Sequence, residues 1–156
     1  MEIRIPGKGN IEIEHLLLDF NGTIARDGKV IHSVKEKVEA VCTKGIKVYV
    51  VTADTHGTAR EQCMDMPIEV MVFDNSSAAE NKRKIAEKLG AQRCICFGNG
   101  FNDGELFEAC AMSVIVMGDE GCSSKALIKS DIVCKSIEDA FDLILKPNRI
   151  KATLRG

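Results

Sequence analysis

Four short stretches of this sequence hold residue types that phosphate chemistry uses. Asp19-Phe20-Asn21-Gly22-Thr23 sets a carboxylate, an amide and a hydroxyl around a turn glycine. Thr52-Ala53-Asp54 follows an apolar run, Lys82 stands ahead of an amphipathic segment, and Gly98-Asn99-Gly100-Phe101-Asn102-Asp103 closes another apolar run. A carboxylate can attack phosphorus and split one difficult displacement into two easier ones. Carboxylate and amide oxygens suit a hard cation such as Mg2+. An ammonium neutralises phosphoryl oxygens, and a glycine lets the backbone approach an anion closely.

These residues can act together only if the fold gathers them. Short apolar runs at 15–20, 46–52, 69–73, 93–97, 113–117 and 131–134 read as strands covered on both faces of a parallel sheet. Amphipathic segments at 33–44, 55–64, 77–89, 103–111, 123–129 and 137–145 alternate with them as helices. In the third of these, Ile85, Ala86 and Leu89 form the apolar stripe. Ser33 with Glu36 has the form of a capping box, Gly45 and Gly90 stop helices, and Pro147 ends the last one. Alternating strands and helices on short connections predict an α/β fold, a doubly wound, Rossmann-like parallel sheet with helices on both faces. Ligands in such sheets bind beyond the carboxyl ends of the strands, and there the four stretches converge on one rim. Residues 2–14 alternate weakly around Pro6-Gly7-Lys8-Gly9 and predict an antiparallel hairpin at the sheet edge. Asp27-Gly28 predicts a second hairpin turn. Residues 1–156 read as a single domain, with 146–156 a basic tail that is solvated or touches a partner subunit.

In order and spacing, DFNGT at 19–23, TAD at 52–54, Lys82 and GNGFND at 98–103 resemble the four motifs of the haloacid-dehalogenase-like (HAD) hydrolase superfamily, and more narrowly its small P-type-ATPase-like branch. The resemblance extends over roughly residues 13–145. It implies a Mg2+-dependent phosphohydrolase working through an aspartyl-phosphate on Asp19, with Asn21, Thr52 and Lys82 completing the catalytic set. Gly22, Thr23 and Asn102 would bind phosphate; Asp19, Asn21 through its main-chain oxygen, Asn99 and Asp103 would hold the metal. Family spacing selects Lys82 over Lys84, with Arg83 and Lys88 also close by.

Two departures qualify the resemblance. Family phosphatases carry an aspartate two residues after the nucleophile, where this chain has Asn21. An amide cannot shuttle a proton, and general acid–base catalysis is worth about 10²–10⁴-fold, so slow turnover follows. Asn99 stands where the family has a metal-binding aspartate, which removes a charge from the Mg2+ site. Both asparagines precede glycine, a context prone to deamidation that would restore an aspartate. The intervals from Asp19 to Thr52 and from Thr52 to Lys82 leave no room for a cap domain, or for the nucleotide-binding domain of the ATPases. The site is therefore open or closed by another subunit of a homo-oligomer.

Composition excludes other classes. A formal net charge of −2 offers no electrostatic grip on nucleic acid or anionic lipid. No stretch approaches the ~20 apolar residues that span a bilayer, and the charged opening does not read as a signal peptide. The seven cysteines lack metal-site spacing, and Cys94 and Cys96 fall on one strand face as small buried hydrophobes. A reduced, cytoplasmic protein acting on a small phosphorylated substrate is expected. The competing reading is a non-catalytic phosphate- or nucleotide-binding regulatory module. The asparagines favour it, whereas retention of Asp19, Thr52, Lys82 and Asp103 opposes it. A receiver domain also uses an aspartate, a threonine and a lysine, but its phospho-acceptor follows the third strand rather than the first. Among the histidines, only His56 lies close enough to Thr52 to reach the site.

Overall fold

The computed structural model describes residues 1–54 and 57–156. Its centre is a six-stranded parallel sheet of β3 (His15–Leu18), β6 (Lys47–Thr52), β7 (Ile68–Val72), β8 (Cys94–Gly98), β9 (Met112–Val116) and β10 (Ile132–Cys134). The spatial order is β10-β9-β8-β3-β6-β7, with all pairs parallel. The chain winds outward from β3 in one direction, returns to β8 and winds outward in the other. The order reverses between β3 and β8, and the carboxyl ends of these two strands open the crevice in which such sheets bind ligands.

Alternation along each strand divides the core in two. Leu16, Leu18, Val48, Val50, Ile95, Phe97, Val114 and Val116 face α1 (Val34–Cys42) and α6 (Ile137–Leu145). Leu17, Tyr49, Val51, Cys94, Cys96 and Ile115 face α3 (Ala78–Leu89), α4 (Gly104–Ala109) and α5 (Ser124–Leu127). Because both faces are covered, the central strands are apolar throughout rather than alternating. All seven cysteines are free thiols, with Cys94 and Cys96 fully buried as expected. Between β6 and β7 the described residues include α2 (Thr58–Gln62), shorter than the 55–64 expected. No helix is long and apolar enough to cross a membrane among the described residues.

Three expectations differ from the structure. The N-terminal hairpin forms, as β1 (Glu2–Ile5) against β2 (Gly9–Glu12), but as a separate two-stranded sheet that does not extend the large one. Its Ile3 and Ile5 are buried in the core, so their burial, rather than edge pairing, holds it. The capping box at Ser33 is absent: Ser33 has helical φ and ψ, and its hydroxyl donates to Glu138 Oε1 at 2.5 Å instead. The basic tail is not a loose end. Asn148–Leu154 forms α7, Pro147 starts it, Ile150 is fully buried, and the Gly156 N–H donates to Pro6 O at 3.2 Å. Leu154 packs beside Ile150 against the core, so two apolar positions among the basic residues dock this helix.

Asp142 on α6 ties this face together, accepting from Lys37 Nζ of α1 at 2.7 Å, Lys146 Nζ at 2.7 Å and Arg149 Nη1 of α7 at 3.2 Å. The hydrogen bond from Lys146 and the one from Lys37 hold its carboxyl down at about 2. A carboxylate whose pKa falls on folding contributes stability above its ordinary range and loses it as pH drops toward the folded value. Asp142→Asn is expected to destabilise the protein by about 1 kcal/mol at neutral pH. In urea denaturation series the difference should shrink steadily as pH is lowered from about 4 to about 2.

Candidate active site

The site starts from the way β3 ends. Leu16, Leu17 and Leu18 are fully buried, and the Asp19 N–H still donates to Phe97 O of β8 at 2.9 Å. The chain then turns tightly, with the N–H groups of Thr23, Ile24 and Ala25 converging on Phe20 O at 3.3, 3.1 and 2.9 Å. This turn leaves the Asp19 carboxylate at the switch point between β3 and β8. Beyond it the hairpin of β4 (Ala25–Arg26) and β5 (Lys29–Val30) forms as expected, with Asp27 and Gly28 both at positive φ.

Around Asp19 the polar groups interlock. Lys82 Nζ donates to Asp19 Oδ1 at 2.6 Å and to Asp103 Oδ1 at 2.5 Å, and lies 3.5 Å from Asn102 Oδ1. The other Asp103 oxygen accepts the backbone N–H groups of Asn99 at 3.0 Å and Gly100 at 2.9 Å. The Thr23 hydroxyl bridges Asp19 Oδ2 and Asn99 Oδ1, 3.3 Å from each. Lys82 is 1% exposed, Asp103 is fully buried, and the Asp19 side chain keeps 12% of its surface open. Two glycines make the packing possible: a Cβ at Gly22 would overlap the Asn99 side-chain nitrogen, and one at Gly98 would overlap the Asp103 carboxylate.

Electrostatics follow from this burial. Desolvation pushes the Asp19 carboxyl up to about 6, opposed by Lys82 and reinforced by the charge of Asp103. Burial alone would lower Lys82, but the two carboxylates outweigh it and hold the ammonium above its ordinary range. A buried ammonium between two carboxylates stays charged and leaves one negative charge in excess.

Asp19, Thr23, Lys82, Asn99, Asn102 and Asp103 thus form one bonded cluster. Thr52 borders it at the end of β6, where its hydroxyl accepts from the Asp54 N–H at 3.2 Å. The register that pairs Leu18 with Val50 sets Thr52 one residue beyond the level of Asp19. Asn21 is exposed on the turn. His56 lies outside the described residues.

Two side chains of the expected metal set already have hydrogen-bond partners within the protein. Asp103 has one oxygen on Lys82 and the other on two backbone N–H groups, the bonds of a counterion and loop anchor. The Asn99 amide is engaged at both ends, accepting from Thr23 and donating to Gly121 O at 3.2 Å. Among the described residues no group of three or more His, Cys, Asp or Glu side chains is arranged to hold a metal ion. What faces a cation is the Asp19 carboxylate with the neighbouring exposed turn. That donor set fits a hard cation arriving with a phosphate, which supplies the missing negative oxygens, better than a resident metal centre.

Several residues here escaped the sequence reading. Gln62 clamps the hairpin, donating to Gly28 O at 2.5 Å and accepting from the Val30 N–H at 2.6 Å. Arg26 pairs with Asp119, and the Asp27 N–H donates to Glu120 Oε1 at 2.9 Å. No local pattern marks these long-range pairs. Lys82, by contrast, had a signal beyond family spacing. It lies three, four and seven residues before Ile85, Ala86 and Leu89, so helical periodicity alone turns it inward while Lys84 and Lys88 face out.

Lys82→Met leaves the two carboxylates facing each other with no counterion, and a loss of about 3–5 kcal/mol is expected in urea denaturation. The double variant Asp19→Asn, Lys82→Met should recover part of that loss, because it removes the repulsion. Deamidation is disfavoured at both Asn-Gly pairs. The nitrogens that would close the ring, Gly22 N and Gly100 N, donate to Ala25 O and to Asp103 Oδ2, each at 2.9 Å. Peptide mass spectrometry of aged native protein is expected to find Asn21 and Asn99 intact, and unfolded protein to deamidate faster.

No protein-family model matches the chain. It is 46% identical over 78 residues to the uncharacterized protein MJ0073 of Methanocaldococcus jannaschii, a match covering 47% of this chain and 84% of that protein. It is 45% identical over 40 residues to the uncharacterized protein MJ0072 of the same organism, covering 26% and 89%. Among solved structures it resembles the cobalt-bound deoxy-D-mannose-octulosonate 8-phosphate phosphatase of Haemophilus influenzae, with a TM-score of 0.73 and 14% identity over 93% of this chain and 94% of that one. The corresponding Moraxella catarrhalis phosphatase, in complex with magnesium, phosphate and its sugar, gives 0.73 and 15% identity over 92% and 94%. A Legionella pneumophila protein described as a HAD superfamily (subfamily III A) hydrolase gives 0.73 and 14% identity over 90% and 86%. At these identities the likeness is one of fold.

Proposed function

Because this chain belongs to one family with MJ0073 and has the fold of the HAD-like hydrolases, we propose that it is a phosphohydrolase acting on a small phosphorylated substrate through an aspartyl-phosphate at Asp19. The observation that carries this reading is the Asp19–Lys82 pair at the sheet's switch point, 2.6 Å apart and nearly enclosed. A binding module would need the ammonium, but not a carboxylate aimed at the anion it binds.

In the first step an Asp19 oxygen bonds to phosphorus as the ester P–O bond breaks, and the departing alkoxide takes a proton from solvent. Lys82 keeps Asp19 ionised beforehand and then neutralises the phosphoryl oxygens. The Thr52 hydroxyl and the backbone around Gly22 and Thr23 orient those oxygens, with Asn102 at the side. Water then attacks the aspartyl-phosphate, releasing phosphate and restoring the Asp19 carboxylate. Asn21 can orient that water but cannot take its proton, so the second step is slow and the phospho-enzyme long-lived, as in the P-type-ATPase-like branch. Mg2+, held by the Asp19 carboxylate and the Asn21 main-chain oxygen with the substrate phosphate, would screen charge and align the phosphoryl group when bound. The seven free thiols suit a reducing compartment such as the cytoplasm. With no cap domain, closure over the substrate would come from a second copy of the chain.

A second reading, a phosphate-binding module without turnover, is favoured by Asn21 and by the engaged Asn99 amide. Hydrolysis of p-nitrophenyl phosphate and acetyl phosphate by wild type, Asp19→Asn and Asn21→Asp separates the two. We expect slow, EDTA-sensitive wild-type turnover, none with Asp19→Asn, and a gain of about 10²-fold with Asn21→Asp. Acid-quenched wild type should carry phosphate on Asp19 by mass spectrometry. Turnover that survives loss of Asp19 overturns the mechanism. Phosphate binding without turnover across a broad ester panel supports the module.

A further inference from the structure

Asn99 departs from the family pattern, and its surroundings explain what the amide does there. Nδ2 donates to Gly121 O at 3.2 Å, while Oδ1 accepts from the Thr23 hydroxyl at 3.3 Å. Its main chain is held as well, the N–H by Asp103 and the carbonyl by the Ser123 N–H at 2.8 Å. Gly22 packs so tightly on this amide that it has room for no side chain. One carboxamide therefore joins the nucleophile turn to the 118–123 loop. That loop carries Asp119 and Glu120, which hold Arg26 and the Asp27 N–H of the hairpin. An aspartate at this position could still accept from Thr23, but it would set an anionic oxygen against the Gly121 carbonyl in place of a donor.

We propose that Asn99 is a positioning residue whose carboxamide ties the nucleophile turn to the loop bracing the hairpin, and that this tie replaces a metal-binding carboxylate. The tie itself is independent of turnover; its consequence for the cation rests on the phosphohydrolase reading. With Asp103 fully buried and Asn99 engaged by the two loops, Asp19, whose side chain keeps 12% of its surface open, is the carboxylate left to face a divalent cation. Mg2+ and phosphate then bind together, each raising the affinity of the other by the same factor.

The test compares wild type, Asn99→Asp and Asn99→Ala by thermal denaturation, first in EDTA and then with Mg2+, inorganic phosphate or both. In EDTA both variants should melt lower than wild type by roughly 1–6 °C, the effect of one lost hydrogen bond in a chain of this size. Hydrogen exchange at the Asp27 amide should accelerate in both, while β10 at the far edge keeps its protection. Mg2+ alone should raise the melting temperature of Asn99→Asp, but not that of Asn99→Ala or wild type. Wild type should respond only to Mg2+ and phosphate together.

An Asn99→Asp protein as stable as wild type in EDTA, with the Asp27 amide unchanged, overturns the tie. Wild type stabilised by Mg2+ alone as strongly as Asn99→Asp overturns the replacement. Absence of phosphatase turnover leaves the EDTA and exchange results standing, so failure of the phosphohydrolase reading is seen separately.

Discussion

A single buried ammonium organises this site. Lys82 has almost no contact with solvent, and its charge is tolerable only because Asp19 and Asp103 lie within 2.6 Å of Nζ. Burying an ion costs several kcal/mol, which paired and hydrogen-bonded counterions offset. The requirement runs in both directions: the ammonium holds two carboxylates that would otherwise repel each other. Three elements are fixed relative to one another by that need, namely the end of β3, the first turns of α3 and the segment after β8.

The sheet supplies the platform. Its order reverses between β3 and β8, so the two strand ends that carry Asp19 and Asn99 are neighbours, and no strand intrudes between them. Apolar side chains on both faces leave the strands no freedom to slide, since a slip of one residue would turn each inward side chain to the other face. Loops at the carboxyl ends can therefore hold a polar cluster to within hydrogen-bond distances. The hairpin over 25–30 is the lone elaboration between β3 and α1, and only α2, β7 and α3 separate β6 from β8 among the described residues. Among the described residues nothing caps the crevice, and its hairpin is braced on one side by Gln62 and on the other by Asp119 and Glu120.

The two asparagines give this crevice its character. In the proposed reaction Asp19 accepts a phosphoryl group beside the Lys82 ammonium, whereas Asn21 withholds the proton shuttle that would speed release. Asn99 exchanges charge for connection: an anionic oxygen would have suited a metal, but an amide can both accept and donate, and here it does both.

Much of this was legible along the chain. Short apolar runs located all six parallel strands within two residues, because strands covered on both faces carry a continuous signal. The order of strands and helices was enough to predict the doubly wound sheet, and the four motifs fell at one rim because that topology puts all carboxyl ends together. Helical period alone turned Lys82 inward. What tertiary structure decided was how each polar atom is used. Asp103 reads in sequence as a metal ligand, yet in the fold Lys82 and the backbone N–H groups of Asn99 and Gly100 occupy its two oxygens. The C-terminal residues read as a charged tail, yet Ile150 finds the core and makes them a helix. Gln62, Asp119 and Glu120 carry no local mark, since a hydrogen bond between residues far apart in the chain depends on where folding brings them. Sequence determines which groups are available and which side of each element they face; hydrogen-bond partners are settled only when folding buries polar atoms and brings distant ones together.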